Sequence, residues 1–411
     1  MTKLEELIQE LCPNGVKYLT IPELFITRNG YTPSKANAEF WGNGTIPWFR
    51  MEDIRENGRI LTKSTQYVSE KAIKGKLFPE DSIIIATSAT IGEHALIKVP
   101  SLANQRFTYL VLKDEFKSSV DMMFIFYYCF KLDEFCKTHL NQGNFASVDM
   151  KQFAEFKFPL PPLPVQREIV RILDNFTELT AELQEELQAR KKQYEYYHNA
   201  LMDFSNENIE YLSVGELFEI KNGLNKEKAA FGKGKPIINF TDVYNNRWLA
   251  NGSFSGLVDV LDDEIKRYSA KIGDVFFTRT SETKEDIGMS STLVENVPNC
   301  VFSGFVLRAR PTTNLLLPKF CSYYFSTKQV RNTIVRYAAF TTRATTTGQK
   351  LSKIIVPILP IERQRRIVAI LDRFYALCND LTSGLPAEIE ARQKQYEYYR
   401  DKLLSFHPLS Q

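Results

Sequence analysis

Apolar residues recur at Ile169, Leu173, Phe176, Leu179, Leu183, Leu187, Tyr194, Tyr197, Leu201 and Phe204, mostly three or four apart, with Arg190 filling one gap. That is a heptad stripe. With no Gly or Pro within 166–204, it predicts one unbroken helix, roughly 58 Å long at about 1.5 Å per residue. The run PLPPLPVQ at 159–166 holds the helix off until Pro164, which suits a first turn. A second stripe runs through Ile367, Ile370, Leu371, Phe374, Leu377 and Leu381, until SGLP at 383–386 breaks it. Gly384 is expected to take a left-handed stop and Pro386 to restart a helix. The stripe then resumes at Ile389, Arg392, Tyr396, Tyr399, Leu403 and Phe406.

The two stripes are copies. KQYEYY stands at 192–197 and at 394–399, QREIVRILDNF at 166–176 returns as QRRIVAILDRF, and VKYLTIPELF at 16–25 returns as IEYLSVGELF at 209–218. Three blocks in the same order, at offsets of 202, 198 and 193, mean an internal duplication with a domain-sized period. A lone apolar stripe is usually ordinary core. Two homologous stripes in one chain favour packing against each other as an antiparallel coiled-coil pair.

The segments outside the helices differ in letters but share a rhythm. Each opens with a Gly-bearing loop, ITRNGYTPSK at 26–35 and IKNGLNKEK at 220–228. Each continues with a strand-like stretch (78–97 and 270–288), an aromatic helix (121–135 and 317–330) and a polar turn (139–150 and 339–351). The expected fold class is α+β: two globular domains separated by two long helical regions, with an internal pseudo-two-fold repeat. The expected divisions are 1–160, 161–206, 207–357 and 358–411. Domains that keep a scaffold and vary their loops look built to read two different targets.

Composition changes this picture little. The chain has 411 residues and a net charge of +3, which decides nothing about nucleic acid. Local charge is more telling: 328–353 holds six basic residues and no carboxylate, and 221–235 holds five lysines against Glu227 alone. Such stretches fit patches for a polyanion or plain solvated faces. The six scattered cysteines, with no CxxC pair, read as buried thiols in a reducing cytoplasm, and no apolar run is long enough for a bilayer. Motifs of catalysis are missing. There is no NPP[YF] or DPPY, no phosphate loop (FGKGKP at 231–236 lacks the spacing), and no paired histidines for zinc; the ExK triplets at 219–221 and 264–266 read as coincidence.

The duplicated QxxIVxILD and KQYEYY blocks, the proline exits before them and the openings KYLTIPELF and EYLSVGELF make the chain resemble the specificity subunit of type I restriction–modification systems. The likeness spans essentially the whole chain. One departure is that the central copy lacks the SGLP turn, in a family that uses spacer length to set the gap between half-sites. The resemblance implies two target recognition domains, each reading one half of a bipartite, gapped sequence in double-stranded DNA. It implies helices that hold the domains apart and dock two methyltransferase subunits, which methylate adenine N6, with up to two restriction subunits joining. No cofactor is expected in this chain; S-adenosylmethionine, and ATP with Mg for restriction, belong to the partners. The rival readings are a coiled-coil protein scaffold that binds no DNA and a silent, shuffled specificity subunit.

Within this reading, base-edge donors and acceptors specify, and lysines position the backbone. The first domain offers Asn141, Gln142, Asn144 and Ser147, then Gln105 and Arg106, Ser88 and Thr90, and Arg50 beside Trp48. The second offers Arg343, Thr345 and Thr346, with Arg279, Ser281 and Thr283. Lys226, Lys228 and Lys233 are expected on phosphates. Tyr194, Tyr197, Tyr396 and Tyr399 are expected in helix pairing, and the off-stripe Tyr196 and Tyr398 on a partner subunit.

Overall fold

A computed structural model describes residues 2–141, 146–254 and 256–409. The chain divides into two compact units, one built from residues 1–182 and 390–411, the other from 183–389.

In the first unit, a five-stranded sheet runs in the order Phe25–Asn29, Phe107–Leu112, Ser82–Ala86, His94–Ile97, Ile60–Leu61. Its pairs are antiparallel except the last. A three-stranded sheet of Tyr67–Val68, Ile46–Phe49 and Leu102–Ala103 lies beside it in the chain's path. The stretch 78–97, read as one strand, is two: positive φ at Ala89 and Gly92 turns the chain back on itself. Helix Met122–Thr138 covers the sheet and buries Phe124, Ile125, Tyr128, Cys129 and Leu132. Its Asp133 reaches the sheet, with one carboxylate oxygen 2.7 Å from His94 Nδ1 and 3.2 Å from the Arg59 guanidinium.

The second unit repeats these two sheets strand for strand and adds a small one of Thr280–Ser281, Ala344–Thr345 and Ala339–Phe340. The five-stranded order is Phe218–Asn222, Val306–Pro311, Val275–Thr278, Ser290–Leu293, Trp248–Leu249, with a three-stranded sheet of Leu257–Val258, Phe231–Ile238 and Val301–Phe302. A two-stranded ribbon closes each unit: Lys17–Thr20 with Lys157–Leu160, and Tyr211–Ser213 with Ile355–Pro357. The covering element differs. The expected helix at 317–330 is broken into Pro318–Tyr324 and Lys328–Tyr337, because the Thr327 hydroxyl caps the second helix by accepting from Val330 N–H.

The repeated glutamines staple helix to domain in both units. Buried Gln166 accepts from Asp121 N–H and donates to the carbonyls of Ser119 and Pro161, at 2.8, 2.9 and 2.7 Å. Buried Gln364 accepts from Leu317 N–H and donates to those of Leu315 and Leu359, at 2.9, 2.7 and 2.8 Å. A second duplicated tie joins Tyr127 to Asp174 at 2.5 Å and Tyr323 to Asp372 at 2.7 Å.

The central helix is Leu163–Leu201, three residues earlier than the stripe implied, with Pro164 in its first turn. The second helical region is Ile361–Asn379 and Leu385–Leu403. Its break is not a left-handed glycine, since Gly384 is absent from the positive-φ residues. Asp380 makes the turn: its carboxylate accepts from Thr382 N–H and from the Thr382 and Ser383 hydroxyls, which hold its pKa down at about 2. Glycine is needed at 384 for space, because a Cβ there would lie 2.6 Å from the Ala376 carbonyl. Leu381 sits in this turn, 73% exposed, and so is outside the stripe.

Within the first unit, residues 163–182 of the central helix pack with the last helix, and Phe176 stacks on Tyr399. Within the second, residues 183–201 pack with Ile361–Asn379, and Tyr197 stacks on Phe374 while Tyr194 is buried. Tyr396 joins the first unit's core. The tyrosines expected in helix pairing are thus all in aromatic or core contacts. Tyr196 and Tyr398, one step off the stripe, are 70% and 63% exposed.

Candidate nucleic-acid interface

Three segments of the first unit meet on a ledge held by main-chain bonds. Thr87 N–H donates to the Arg106 carbonyl and Val148 N–H donates to the Thr87 carbonyl, each at 2.9 Å. Ser88 and Ser147 face each other in an antiparallel bridge. Asn141 is tied to the segment that follows, its side-chain amide donating to Ser147 Oγ at 3.3 Å and to the Val148 carbonyl at 3.1 Å. Asn104 Oδ1 accepts from Arg106 N–H at 3.0 Å, a tight turn that pushes Gln105 and Arg106 out to solvent.

Beside the ledge lies a cleft of about 280 Å³ whose lining includes Thr32, Lys35, Arg50, Gln105 and Arg106. The Thr32 hydroxyl bonds the Gln105 side chain. Arg50 is aimed by a 3.1 Å bond to Thr65 Oγ1 and by the face of Trp48, 5.9 Å from its guanidinium carbon. Trp48 itself is core, with its indole N–H on the Tyr31 carbonyl at 2.9 Å. The first cleft is therefore cationic and amide-bearing, with chemistry suited to guanine O6/N7 and adenine N6/N7.

The second unit builds the same ledge. Arg279 N–H donates to the Phe305 carbonyl and Thr346 N–H to the Arg279 carbonyl, each at 3.0 Å. Thr280 pairs with Thr345 and Ser281 with Ala344 across a short ribbon. These bonds put Phe305 where the first unit has Arg106. The cleft, about 390 Å³, is lined by Phe240, Tyr244, Ser281, Thr283, Phe305 and Arg343 among others. Phe240 stacks on Tyr244 with centroids 5.7 Å apart. Helices Met51–Asn57 and Phe240–Asn245 share a start, in which Asp53 and Asp242 each accept from the N–H three residues back at 2.7 Å, so Phe240 answers to Met51.

Arg50, Gln105 and Arg106 thus share one cleft, and Ser281, Thr283 and Arg343 share the other. Ser88, Ser147 and Asn141 lie on the first ledge, with half-buried Thr90 on its turn, and Arg279 and Thr345 lie on the second. Gln142 and Asn144 lie outside the described residues. Thr346 is only 2% exposed, so it contributes backbone to the ledge and no surface. Lys226 is tied to Glu264 at 2.8 Å, with its side chain 24% exposed; this bond pulls the Glu264 carboxyl below its usual pKa and leaves little charge for a phosphate. Lys233 lies 3.9 Å from Asp259, and Lys228 is exposed; none of the three lines either cleft. Phe240, Tyr244 and Phe305 were missed by the sequence reading. A phenylalanine in SGFVLR looks like one more strand residue until the sheet register gives it the position that Arg106 holds in the first unit.

Residues 13–190 and 206–391 each match the model of the type I restriction modification DNA specificity domain, and the chain belongs to that family. It is 52% identical over 222 residues to the EcoprrI type I restriction enzyme specificity subunit of Escherichia coli, covering 51% of this chain and 55% of that one. It is 33% identical over 289 residues to the EcoR124I/EcoR124II specificity subunit of Escherichia coli, covering 64% and 68%. The alignment thus spans about half the length of the first of these relatives. Among solved structures, a chain of a type I R-M system described for its complex assembly and conformational transition superposes with a TM-score of 0.65 at 16% identity, over 95% of this chain and 98% of that one. The HsdS subunit from Thermoanaerobacter tengcongensis gives 0.54 at 16% identity, over 96% and 97%. At such identities the likeness is one of fold.

Proposed function

We propose that this chain is the DNA-reading subunit of a type I restriction–modification complex, with each unit reading one half of a bipartite, gapped site. The observation that carries this is the ledge built twice: one backbone arrangement on one scaffold, furnished with different side chains. A bare assembly scaffold has no use for that difference. The first cleft presents Arg50, Gln105 and Arg106 to base edges. The second presents Ser281 and Arg343, the latter within a segment, 328–353, that carries six basic residues and no carboxylate.

The chain performs no chemistry in this reading. Methyltransferase subunits carrying S-adenosylmethionine would modify adenine N6, and restriction subunits with ATP and Mg would cut. The exposed Tyr196 and Tyr398, on identical KQYEYY segments, are the surface offered to the methyltransferases. Mapping N6-methyladenine at base resolution with and without the gene tests the whole. Loss of one gapped, bipartite motif on deletion supports it, and an unchanged methylome overturns it as a description of an active subunit.

A further inference from the structure

We propose that the second unit reads a thymine through its methyl group, with Phe305 as the contact. This rests on the DNA reading and deepens it.

Phe305 is 65% exposed at the tip of the ledge, although the strand it opens, Val306–Pro311, buries its next four side chains. Nothing in the local packing asks for a large apolar side chain there. The first unit puts Arg106 at the same place. The tip is also fixed: Phe305 O accepts from Arg279 N–H at 3.0 Å, and Gly304 leaves room for Asn225, whose Oδ1 would sit 1.9 Å from any Cβ at that position. The side chain is therefore held outward on a rigid turn.

Its surroundings match one base edge. The stacked rings of Phe240 and Tyr244 share the cleft and extend the apolar wall. Around that wall stand Arg343, a donor, and the hydroxyls of Thr280 and Ser281, while the Thr283 hydroxyl is held by Asp286, to whose carboxylate it donates at 2.5 Å. In the major groove, thymine presents a C5-methyl group beside the O4 acceptor, and it is the one base with an apolar feature on that edge. A phenyl ring on the methyl, with donors at hand for O4 or for a neighbouring purine, distinguishes thymine from cytosine at that position. The Glu282 and Asp286 carboxylates also line the cleft, which disfavours close phosphate approach and leaves the base edge as the partner.

The test uses the full-length chain and duplex DNA. A randomised duplex library first yields the site that the wild-type chain selects, and each thymine of that site is then replaced by deoxyuridine, which removes only the methyl. One replacement, confined to one half-site, is expected to weaken wild-type binding by about fourfold, the worth of one buried methyl. Phe305→Ala is expected to bind thymine and uracil equally there, with Phe305→Leu in between and Arg106→Ala affecting only the other half-site. If wild type and Phe305→Ala respond alike to every replacement, the thymine inference is overturned and the DNA reading stands. If the wild-type chain selects no sequence, the DNA reading falls and takes this inference with it. Because Phe305 is exposed, the variant keeps its fold, which hydrogen exchange verifies.

Discussion

Phe176 and Tyr399 stack with ring centroids 5.5 Å apart and planes 23° from parallel. Their repeat partners, Phe374 and Tyr197, do the same at 5.6 Å and 27°. Each unit therefore joins the beginning of one helical copy to the end of the other. Removing the ring in Tyr399→Ala should destabilise the first unit by about 2 kcal/mol, partly from lost stacking and partly from lost burial. Hydrogen exchange should quicken in that unit and hold steady in the second. Tyr196→Ala should shift stability by less than about 0.5 kcal/mol, yet weaken co-purification with the methyltransferase subunit. Equal destabilisation by the two would contradict the assignment of one tyrosine to packing and the other to a partner.

Gln364 pairs three main-chain groups with one side chain. Gln364→Leu keeps the volume and strands the Leu317 N–H and two carbonyls, so a loss of about 3 kcal/mol or more is expected. Denaturant unfolding followed by hydrogen exchange should localise that loss to the second unit. Gln166→Leu should mirror it in the first.

His198 is buried, and its Nε2–H donates to the Tyr323 carbonyl at 2.8 Å. Burial foremost, and then the Arg247 charge, push its pKa down from 6.5 to about 4. The unfolded chain takes up this proton near pH 6.5 and the folded one only near pH 4, so stability is complete above that window and lost as pH falls through it. The loss amounts to about 3 kcal/mol at most. A His198→Gln variant should be less stable at neutral pH, with a flatter acid limb between pH 6.5 and 4. An unchanged acid limb would mean that other groups govern it.

Arg343→Ala should alter which base is preferred at one position of one half-site and leave the other half alone. Lys228→Ala should leave preference intact and flatten the salt dependence by about one unit of slope. Uniform weakening across sequences by Arg343→Ala would make it a backbone contact. Binding selections at two salt concentrations separate these outcomes.

Much of the fold was legible because duplication prints the same constraint twice. Gln166 and Gln364 stand at matching places, and so do the stripes that each staple begins. The ledge was legible only in part. Ser88, Arg106, Ser281 and Arg343 carry polar groups in loop-like contexts, but Phe305 carries nothing that marks it as surface. Its equivalence to Arg106 emerges from main-chain bonds between segments far apart in the chain. The acid partners of two lysines at 226–233 were hidden for a related reason: Glu264 and Asp259, which lie beside Lys226 and Lys233, come from some thirty residues later. The break expected at 383–386 falls a few residues earlier, between Asn379 and Leu385, since Asp380 builds the turn and Gly384 only makes room for it.

The ledge is tied together by N–H and C=O groups, which every substitution other than proline leaves in place. A new side chain at Arg106 or Phe305 therefore alters what the surface presents without loosening what supports it. Vocabulary and grammar are inherited separately in such a molecule: descendants can acquire a different word by point changes at a few exposed positions, and the cost of folding does not rise with each attempt.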